Sequence, residues 1–406
     1  MACSTGTAEG DFTSLGISPF LAERLKEKKI AVPAEIQSEV IPLLLKKENV
    51  IFRSATGTGK TFAYLLPVIQ ILMNGERNNH AGPFCIITAP THELCSQIKQ
   101  EADFLLAGTG LKTALIIGSA QMGRQIEALK KDKPVLIVGN SGRLVNLAAG
   151  KKLNLSAIEF LVLDEGDRLV SGELLEETSA FVSLVIKTKP LDCGLCFVSC
   201  SATFSPKNRE KLLSLPVAAE KIRIIETHEN ILRDMVEHWA FFSENRMKAE
   251  TLRSFIAAAK PASRQGKTGK ALIFTARGRE VGNIVSKLRH HKVGAAGLWG
   301  GMDKKARKQA MNDFRSGKVR FLVTSDLAAR GLDIPEIDYV IALDTGEEAD
   351  QYIHRSGRTG RAGKRGVMVT IGNEAELRRL AALEKKLGIT VYPKELYAGK
   401  ISAPAL

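Results

Sequence analysis

The stretch that decides the fold is residues 49–66, which read Asn-Val-Ile-Phe-Arg-Ser-Ala-Thr-Gly-Thr-Gly-Lys-Thr-Phe-Ala-Tyr-Leu-Leu. A short apolar strand from Val50 to Phe52 leads through a glycine-containing loop into an apolar helix, which is the setting that a phosphate-binding loop requires. Gly57 and Gly59 allow consecutive backbone N–H groups to close on a polyphosphate, and the start of the following helix adds partial positive charge. The stretch therefore predicts a polyphosphate site at the start of this helix.

The two residues that open this helix, Lys60 and Thr61, define the chemistry of the loop. Lys60 is expected to reach the β- and γ-phosphates, and the Thr61 hydroxyl is expected to ligate Mg²⁺. Ser54 stands where the general pattern has its first glycine, and it is small enough to leave the turn possible. The alternative is an ordinary glycine-rich turn, but Lys-Thr at the helix start favours phosphate binding.

The composition describes a globular chain with an excess of basic residues. The chain has 406 residues, of which 44% are hydrophobic and 25% charged, enough for about two or three domain cores. The net charge of +14 and the pI near 9.5 indicate a polyanionic partner such as nucleic acid. A basic surface that serves only solubility is the alternative.

The cysteines and apolar runs indicate an intracellular protein with reduced thiols and no membrane span. Residues 1–11 lack the apolar core of a secretion signal. Three of the cysteines have a metal-like spacing, but residues 195–199 look like a buried strand and no histidine lies nearby, which disfavours zinc or an iron–sulfur cluster. The six cysteines are Cys3, Cys85, Cys95, Cys193, Cys196 and Cys200.

Two series of short apolar strands, separated by helical stretches, predict an α/β protein in which each of two domains has a parallel sheet covered by helices on both faces. The first series is Val50–Phe52, Phe84–Ala89, Thr113–Ile117, Val135–Val138, Phe160–Leu163 and Cys196–Ser199. The second series is Ala271–Thr275, Ala295–Leu298, Val319–Thr324, Tyr339–Leu343 and Val367–Ile371.

The chain between these strands gives the domain bounds. Residues 12–48 are predicted to be helical, with Asp11 or Thr13 capping a helix from Leu15 and Pro33 opening a second helix. The sequence turns polar near residues 226–234. We therefore assign residues 1–225 to a first domain, 226–235 to a linker, 236–390 to a second domain and 391–406 to a tail. The last helix has a capping box, Asn373 with Glu376, and is expected to end at Gly388.

A second strand carries the acids that a phosphate loop needs. The run Leu161–Leu163 ends in Asp164 and Glu165 at its carboxyl edge, where ligands collect in open α/β sheets. Asp164 is assigned to the metal through its water shell, and Glu165 is assigned to orienting or deprotonating the attacking water. An exposed acidic turn after a buried strand is the alternative.

At this point the chain resembles the DEAD-box RNA helicases, whose second acidic motif here reads Asp-Glu-Gly-Asp at residues 164–167. The resemblance runs from Phe12 to about Ile371 and implies two tandem RecA-like domains that use ATP and Mg²⁺. It implies that Gln37 pairs with the adenine edge and Phe12 packs on the ring. Residues 34–35 depart from the family pattern, with Ala-Glu in place of Thr-Pro, and residues 29–30 have Lys-Ile in place of a Gly-aromatic pair. The residues implied to hold the phosphates are Thr56, Gly57, Thr58, Gly59, Lys60 and Thr61.

Motifs after the first acidic strand extend the resemblance. Ser201-Ala202-Thr203 is similar to the motif that couples hydrolysis to strand separation, and Asp167 and His354 are assigned to the same coupling. The run 325–334 resembles the fifth motif, in which Asp333 approaches the ribose. The run 354–361 resembles the sixth motif, in which Arg358 and Arg361 act as arginine fingers on the γ-phosphoryl group when a cleft between the domains closes. A plain basic patch is the alternative reading of these arginines.

The motifs implied to face RNA depart most from the family. His92 replaces an arginine, Ser119 replaces a glycine, Asn-Ser replaces Thr-Pro at 140–141, and Lys304 replaces a glutamine. Backbone N–H groups and the remaining side chains can still bind phosphates of a single strand. The residues assigned to RNA are Pro90, Thr91, Gly142, Arg143, Arg307 and Thr324.

The resemblance thus implies an ATP-dependent RNA helicase that binds RNA without sequence preference and opens short duplexes locally. Two alternatives remain, an ATP-gated RNA clamp that hardly unwinds and a DNA helicase of a related branch. A monomer without a membrane is expected, with a ribosomal or ribonucleoprotein partner to target it. The expected compartment is the cytoplasm, with an organellar matrix as the alternative.

Overall fold

The structure is a computed structural model that describes residues 10–54, 57–75, 82–189, 194–203, 205–217, 222–226, 234–259, 269–326, 337–346, 348–360 and 364–404. The chain divides into two compact units, the first made mainly of residues 1–54 and 58–228 and the second mainly of residues 229–406. The division at 228 and 229 falls inside the segment that the sequence analysis assigns to a linker.

The first unit is built on a seven-stranded parallel sheet of order β3-β4-β2-β5-β6-β1-β7. The six predicted strands are confirmed within a residue or two at their ends. Strand β7, a half-buried edge strand beside β1, was missed. The strands are β1 Asn49–Arg53, β2 Cys85–Thr88, β3 Thr113–Ile116, β4 Leu136–Gly139, β5 Phe160–Asp164, β6 Cys196–Ser201 and β7 Ile222–Glu226.

Helices cover both faces of this sheet because alternate strand residues point to opposite sides. On β5, Phe160 and Val162 join one core with helices α1 to α4, whereas Leu161 and Leu163 join a second core with α6 to α9. The helices are α1 Pro19–Glu27, α2 Glu35–Leu45, α3 Lys60–Met73, α4 His92–Leu106, α5 Met122–Asp132, α6 Ser141–Ala149, α7 Gly166–Leu169, α8 Leu174–Thr188 and α9 Pro206–Leu213.

The start of the chain corrects the predicted first helix. The Asp11 carboxylate accepts the N–H groups of Thr13 and Ser14 at 3.1 Å each, which closes a turn instead of capping a helix. The turn is followed by Gly16, which has a left-handed backbone conformation with φ +89°, and α1 begins only at Pro19. The second helix also starts later than predicted, at Glu35, with Ala34 as its N-cap.

The second unit has an eight-stranded sheet of order β10-β11-β9-β12-β13-β8-β14-β15. Its five predicted strands are confirmed, and β8, β14 and β15 were missed. Strand β15 runs antiparallel to β14, so this sheet is mixed, whereas its other strand pairs are parallel as predicted. The strands are β8 Val236–Phe242, β9 Lys270–Thr275, β10 Ala295–Leu298, β11 Phe321–Ser325, β12 Ile337–Ala342, β13 Gly366–Gly372, β14 Val391–Tyr397 and β15 Lys400–Ser402.

Helices again pack on both faces of the second sheet, with α12 and α14 in one core and α10 and α11 in the other. The capping box of the last helix is confirmed, because Asn373 and Glu376 exchange side-chain to backbone hydrogen bonds of 2.8 and 3.0 Å. Gly388 ends that helix at φ +60° as predicted. The helices are α10 Lys248–Ala259, α11 Gly278–His290, α12 Lys304–Arg315, α13 Ala349–Ser356 and α14 Glu374–Leu387, with a short 3₁₀ turn at Asn245–Met247.

Four cysteines, Cys85, Cys95, Cys196 and Cys200, are free thiols buried in the core of the first unit. Burial raises the pKa of each of them, that of Cys95 to about 12. Cys193, the third member of the metal-like group, lies outside the described residues. Within the described parts of the chain, no helix combines the length and apolar character needed to cross a membrane.

Candidate active site

The phosphate loop joins β1 to α3 at the carboxyl edge of the first sheet. The Lys60 ammonium donates to the carbonyl of Ser54 at 2.7 Å. The hydroxyls of Ser54 and Thr58 lie 2.6 Å apart and are both buried. The serine that replaces the usual glycine therefore adds a hydrogen bond across the loop. Thr56 lies outside the described residues.

Gln37 is held against the phosphate loop. Its side-chain oxygen accepts the N–H of Ala34 at 2.9 Å, and its amide nitrogen donates to the Gly59 carbonyl at 3.0 Å. Gly59 has φ +85°, and a Cβ there would lie 2.3 Å from the Gln37 amide nitrogen. Glycine is therefore required at 59 both by conformation and by space. Phe12 is only 1% exposed and belongs to the core beneath these residues.

Asp164, the last residue of β5, is 4% exposed and accepts hydrogen bonds at both carboxylate oxygens. Oδ2 accepts the Tyr64 hydroxyl at 2.8 Å, and Oδ1 accepts the Glu165 N–H at 2.8 Å and the Cys200 thiol at 3.2 Å. Burial raises the pKa of Asp164 despite the opposing effect of the Tyr64 hydrogen bond. A cation beside this carboxylate would favour its ionised form.

Glu165 adopts a left-handed backbone conformation, with φ +50°, directly after the strand. Its Oε2 atom is buried and has no hydrogen-bond partner among the described residues. Its nearest cation is the Arg168 guanidinium, at 3.8 Å. A strained backbone that carries an unsatisfied buried carboxylate oxygen is typical of a functional position.

These residues fit Mg²⁺. The Tyr64 hydroxyl bonds to Asp164, and Tyr64 lies one helical turn after Thr61 on α3, so one helix and one hydrogen bond link the two predicted metal residues. Mg²⁺ takes oxygen ligands and commonly uses one or two protein groups together with phosphates and water. Within the described residues, no group of three or more His, Cys, Asp or Glu side chains offers an all-protein metal site.

Three residues of the first unit that are assigned to coupling, Ser201, Thr203 and Asp167, lie together. The Thr203 hydroxyl donates to Asp167 at 2.5 Å, and the Thr203 N–H donates to the Ser201 hydroxyl at 3.1 Å. The ends of β5 and β6 are thereby linked. At Gly166 a Cβ would lie 2.2 Å from the buried Ser199 hydroxyl oxygen, which is a steric reason for glycine in place of alanine.

A groove of about 470 Å³ in the first unit is lined by three of the residues assigned to RNA, Pro90, Gly142 and Arg143. Thr91 caps α4 by accepting the N–H of Leu94 at 3.2 Å. The Arg143 guanidinium is bonded to the carbonyls of Gly118 and Ala120 at 2.7 and 3.2 Å. The groove residues are Pro90, His92, Gly118, Met122, Asn140, Gly142, Arg143, Asn146, Leu174 and Glu177.

Glu177 was missed by sequence reasoning. Its carboxylate lies over Gly142 at the first turn of α6, 2.6 Å from where a Cβ would stand. The start of a helix is a favourable place for an anion, so an acid here occupies a position suited to an RNA phosphate.

In the second unit the structure gives Arg355 a structural role. Its guanidinium is 1% exposed and forms two bonds to the Asp326 carboxylate, at 2.7 and 2.6 Å, and two to the Asp344 carboxylate, at 3.1 and 3.4 Å. A further bond of 3.0 Å reaches the Asp344 carbonyl. These charge-assisted bonds tie α13 to the carboxyl ends of β11 and β12. Sequence reasoning did not identify this triad, because its acids lie 11 and 29 residues from the arginine.

The other predicted residues of the second unit are placed as follows. Arg358 is 7% exposed, His354 and Arg307 are half-buried, and Thr324 is fully buried with its hydroxyl on the Ser325 carbonyl. Asp333 and Arg361 lie outside the described residues, and the roles assigned to all of these residues stay predictions.

The chain has the features of a nucleoside triphosphatase of the helicase class. These features are a phosphate loop, an acidic strand end and a second α/β unit with an arginine-rich segment. The family model for DEAD/DEAH box helicases matches residues 34–212, and the model for the helicase conserved C-terminal domain matches residues 247–363.

Relatives and solved structures agree with these matches. The chain is 36% identical to the DEAD-box ATP-dependent RNA helicase CshC of Bacillus cereus over 94% of its own length and 93% of the relative. It is 33% identical to the probable ATP-dependent RNA helicase YfmL of Bacillus subtilis, covering 94% and 95%. The structure of S. cerevisiae Dbp5 L327V bound to RNA and ADP BeF3 matches with a TM-score of 0.80 at 26% identity, over 94% of this chain and 95% of that one. This chain belongs to the DEAD/DEAH box helicase family, and its two units have the tandem RecA-like fold.

Proposed function

We propose that this protein is an ATP-dependent RNA helicase, an RNA-stimulated ATPase that opens short RNA duplexes locally or remodels ribonucleoprotein. The observation that carries the proposal is the gathering of Lys60, Thr61, Asp164 and Glu165 at one sheet edge, with Tyr64 of α3 bonded to Asp164. The names of the matched relatives support RNA as the activating polymer.

The residues of the first unit have separate tasks in ATP hydrolysis. Lys60 leaves the Ser54 carbonyl to bind the β- and γ-phosphates, and the N–H groups of the loop bind the remaining oxygens. Thr61 and Asp164 would hold Mg²⁺, which would neutralise charge on the phosphates. Glu165 orients or deprotonates the attacking water through its unsatisfied carboxylate oxygen.

Nucleotide choice rests on Gln37. Its amide is fixed by Ala34 and Gly59, so its remaining hydrogen-bonding capacity has a defined direction. We assign this capacity to the adenine edge.

Arg358 and Arg361 stabilise the charge that develops on the γ-phosphoryl group, and Asp333 binds the ribose.

RNA binding is assigned to the groove of the first unit together with Arg307 and Thr324. Contacts there reach the sugar-phosphate backbone and would not read sequence. One observation favours the second candidate, an ATP-gated RNA clamp that unwinds little. Arg143 is already bonded to two loop carbonyls, and Glu177 places a negative charge in the groove.

The setting of the protein is proposed from its relatives and composition. Bacterial relatives that match along most of their length support a cytoplasmic location. A monomer is proposed, with a ribosomal or ribonucleoprotein partner that supplies the RNA target.

The deciding experiment is steady-state ATP hydrolysis with no polymer, with single-stranded RNA and with single-stranded DNA of the same sequence. RNA is expected to stimulate turnover at least tenfold more than DNA. Equal stimulation by DNA would overturn RNA specificity, and no stimulation by either would overturn the proposed enzyme. A strand-displacement assay on a short RNA duplex then separates helicase from clamp.

A further inference from the structure

Tyr64 lies beside Asp164, one of the two residues assigned to Mg²⁺. It sits on α3 one turn after Lys60 and three residues after Thr61, so all three side chains project from the same side of the helix start. The ring is completely buried. Its hydroxyl donates to Asp164 Oδ2 at 2.8 Å.

Cys200 holds the other side of the same carboxylate. It lies directly opposite Asp164 in the parallel pairing of β5 with β6, and its thiol donates to Asp164 Oδ1 at 3.2 Å. Each oxygen of the carboxylate therefore has a side-chain donor from a different element, α3 on one side and β6 on the other. Neither Tyr64 nor Cys200 is exposed, so water does not replace these bonds.

We infer that Tyr64, assisted by Cys200, is a positioning residue for the metal site, setting the orientation of the Asp164 carboxylate toward Mg²⁺. This inference rests on the proposed function, because it assumes that Thr61 and Asp164 bind the metal. Groups behind a metal ligand fix its orientation, and their removal commonly weakens metal binding by about 10- to 100-fold.

The arrangement explains why a tyrosine and a cysteine occupy buried positions where apolar residues would pack equally well. A buried hydroxyl without a partner costs free energy, so Tyr64 is favoured over phenylalanine only because Asp164 satisfies it. The Asp164 carboxylate in turn needs donors, because burial disfavours its charge. Tyr64 and Cys200 supply these donors, one at each carboxylate oxygen.

The test measures metal binding without hydrolysis. The affinity of a fluorescent ADP analogue is determined in EDTA and across a Mg²⁺ titration, for the unmodified protein and for Tyr64→Phe. In EDTA the two proteins are expected to bind equally within about twofold. The tightening by Mg²⁺ is expected to be about tenfold smaller in the variant. Mn²⁺ binding to the ADP complex, followed by electron paramagnetic resonance, should weaken in parallel.

Tyr352→Phe is the matched control. Tyr352 is also a buried tyrosine, 1% exposed, and its hydroxyl lies 2.8 Å from Nδ1 of His238 in the second unit. This variant should lose similar stability and keep the full effect of Mg²⁺. Cys200→Ala and Cys200→Ser form a second pair, in which alanine should weaken the Mg²⁺ effect and serine, which retains a donor, should largely preserve it.

The outcomes separate this inference from the proposed function. If Mg²⁺ tightens nucleotide equally in Tyr64→Phe and in the unmodified protein, Tyr64 does not position the metal site. If Tyr64→Phe does not fold, the cysteine pair decides instead. A normal Mg²⁺ effect in both Cys200→Ala and Cys200→Ser would then contradict the inference. If Mg²⁺ has no effect on the unmodified protein, the metal site itself is refuted, and this inference with it.

Discussion

Single residues at the end of β5 carry the chemistry of this protein, and Glu165 is the first of them to test. Glu165→Gln keeps the volume of the side chain but removes its charge and basicity. We expect ATP turnover to fall by about 10²- to 10⁴-fold while ATP and RNA still bind. The measurement is single-turnover hydrolysis together with nucleotide and RNA affinities. Glu173→Gln, in the same segment, is the control, and a normal rate in Glu165→Gln would remove Glu165 from the mechanism.

Gln37 is the residue through which base identity and the phosphate loop are connected. Gln37→Ala removes the amide and leaves the Ala34 N–H and the Gly59 carbonyl without their partner. We expect ATP to bind more weakly and the preference for ATP over GTP to fall at least tenfold. Competition binding with both nucleotides measures this.

The control for Gln37 is Gln70→Ala. Gln70 is another buried glutamine of the first unit, bonded to the Ser18 N–H at 2.7 Å and to Asn74 at 2.8 Å. Its loss should lower stability without changing nucleotide preference. Equal use of ATP and GTP by the unmodified protein would contradict the assignment of Gln37.

Much of this residue-level chemistry could be predicted from the sequence, because Lys60, Thr61, Asp164 and Glu165 lie within short motifs. The roles of Tyr64 and Cys200 could not be predicted, because they depend on contacts with Asp164 across the sequence. Tyr64 lies 100 positions from Asp164, and Cys200 lies 36 positions from it. Sequence analysis did not identify Glu177 for the same reason. It follows Gly142 by 35 positions, and only the packing of α8 beside α6 brings the two together.

At the scale of elements, the start of α6 is the point where structure adds most to the sequence. Glu177→Gln removes a negative charge from this helix end without changing the packing of α8. We expect RNA to bind about two- to fivefold more tightly, because a charge at a helix start contributes roughly 0.3–1 kcal/mol. Fluorescence anisotropy with a short single-stranded RNA measures this.

Glu176→Gln is the matched control, since Glu176 is the neighbouring exposed acid on α8 but does not line the groove. Its RNA affinity should change less than that of Glu177→Gln at equal salt. If the two variants gain the same affinity, the effect is one of net charge and the position of Glu177 is irrelevant.

Helices and strands whose own residues show a clear sequence pattern were predicted. Strands that form only because they pair with a neighbouring strand were not. The capping box at Asn373 and the apolar strands β1 to β6 follow from their own sequences. Strands β7 and β15 lie at sheet edges and β14 lies beside β15, and the irregular patterns of exposure of all three carry no clear period. Asp11 offers a helix cap in sequence, but its carboxylate instead closes a turn that continues into Gly16.

At the scale of the whole molecule, the last strands stabilise the second unit. Val391, Leu396 and Ile401 pack against its two cores, and β14 covers the edge of β8. Removing residues 390–406 should lower the free energy of unfolding of this unit by about 3 kcal/mol and promote aggregation through the exposed edge.

Tryptophan fluorescence isolates this transition, because the two tryptophans of the chain, Trp239 and Trp299, both belong to the second unit. Urea unfolding followed by this signal should shift to lower concentration in the truncated protein. Removal of residues 403–406 alone, beyond β15, is the control and should leave the midpoint unchanged. An unshifted midpoint after the longer deletion would show that β14 contributes nothing to stability.

Coupling between ATP and RNA is a property of the complete chain. Arg361→Ala should leave ATP affinity nearly unchanged, because Lys60, Thr61 and Gln37 all belong to the first unit. RNA-stimulated turnover should fall by as much as about 10³-fold. RNA affinity, measured with and without a non-hydrolysable ATP analogue, should lose its dependence on the analogue. If the analogue tightens RNA equally in the variant, Arg361 does not take part in coupling.

The alkylation rates of the four buried thiols of the first unit would report how often this unit opens to solvent. An alkylating reagent attacks only the thiolate, so Cys85, Cys95, Cys196 and Cys200 should be modified only during excursions that admit solvent. Peptide mass spectrometry after timed exposure to iodoacetamide would give each site its own rate. Cys200 borders Asp164, so bound nucleotide should slow its alkylation more than that of Cys85.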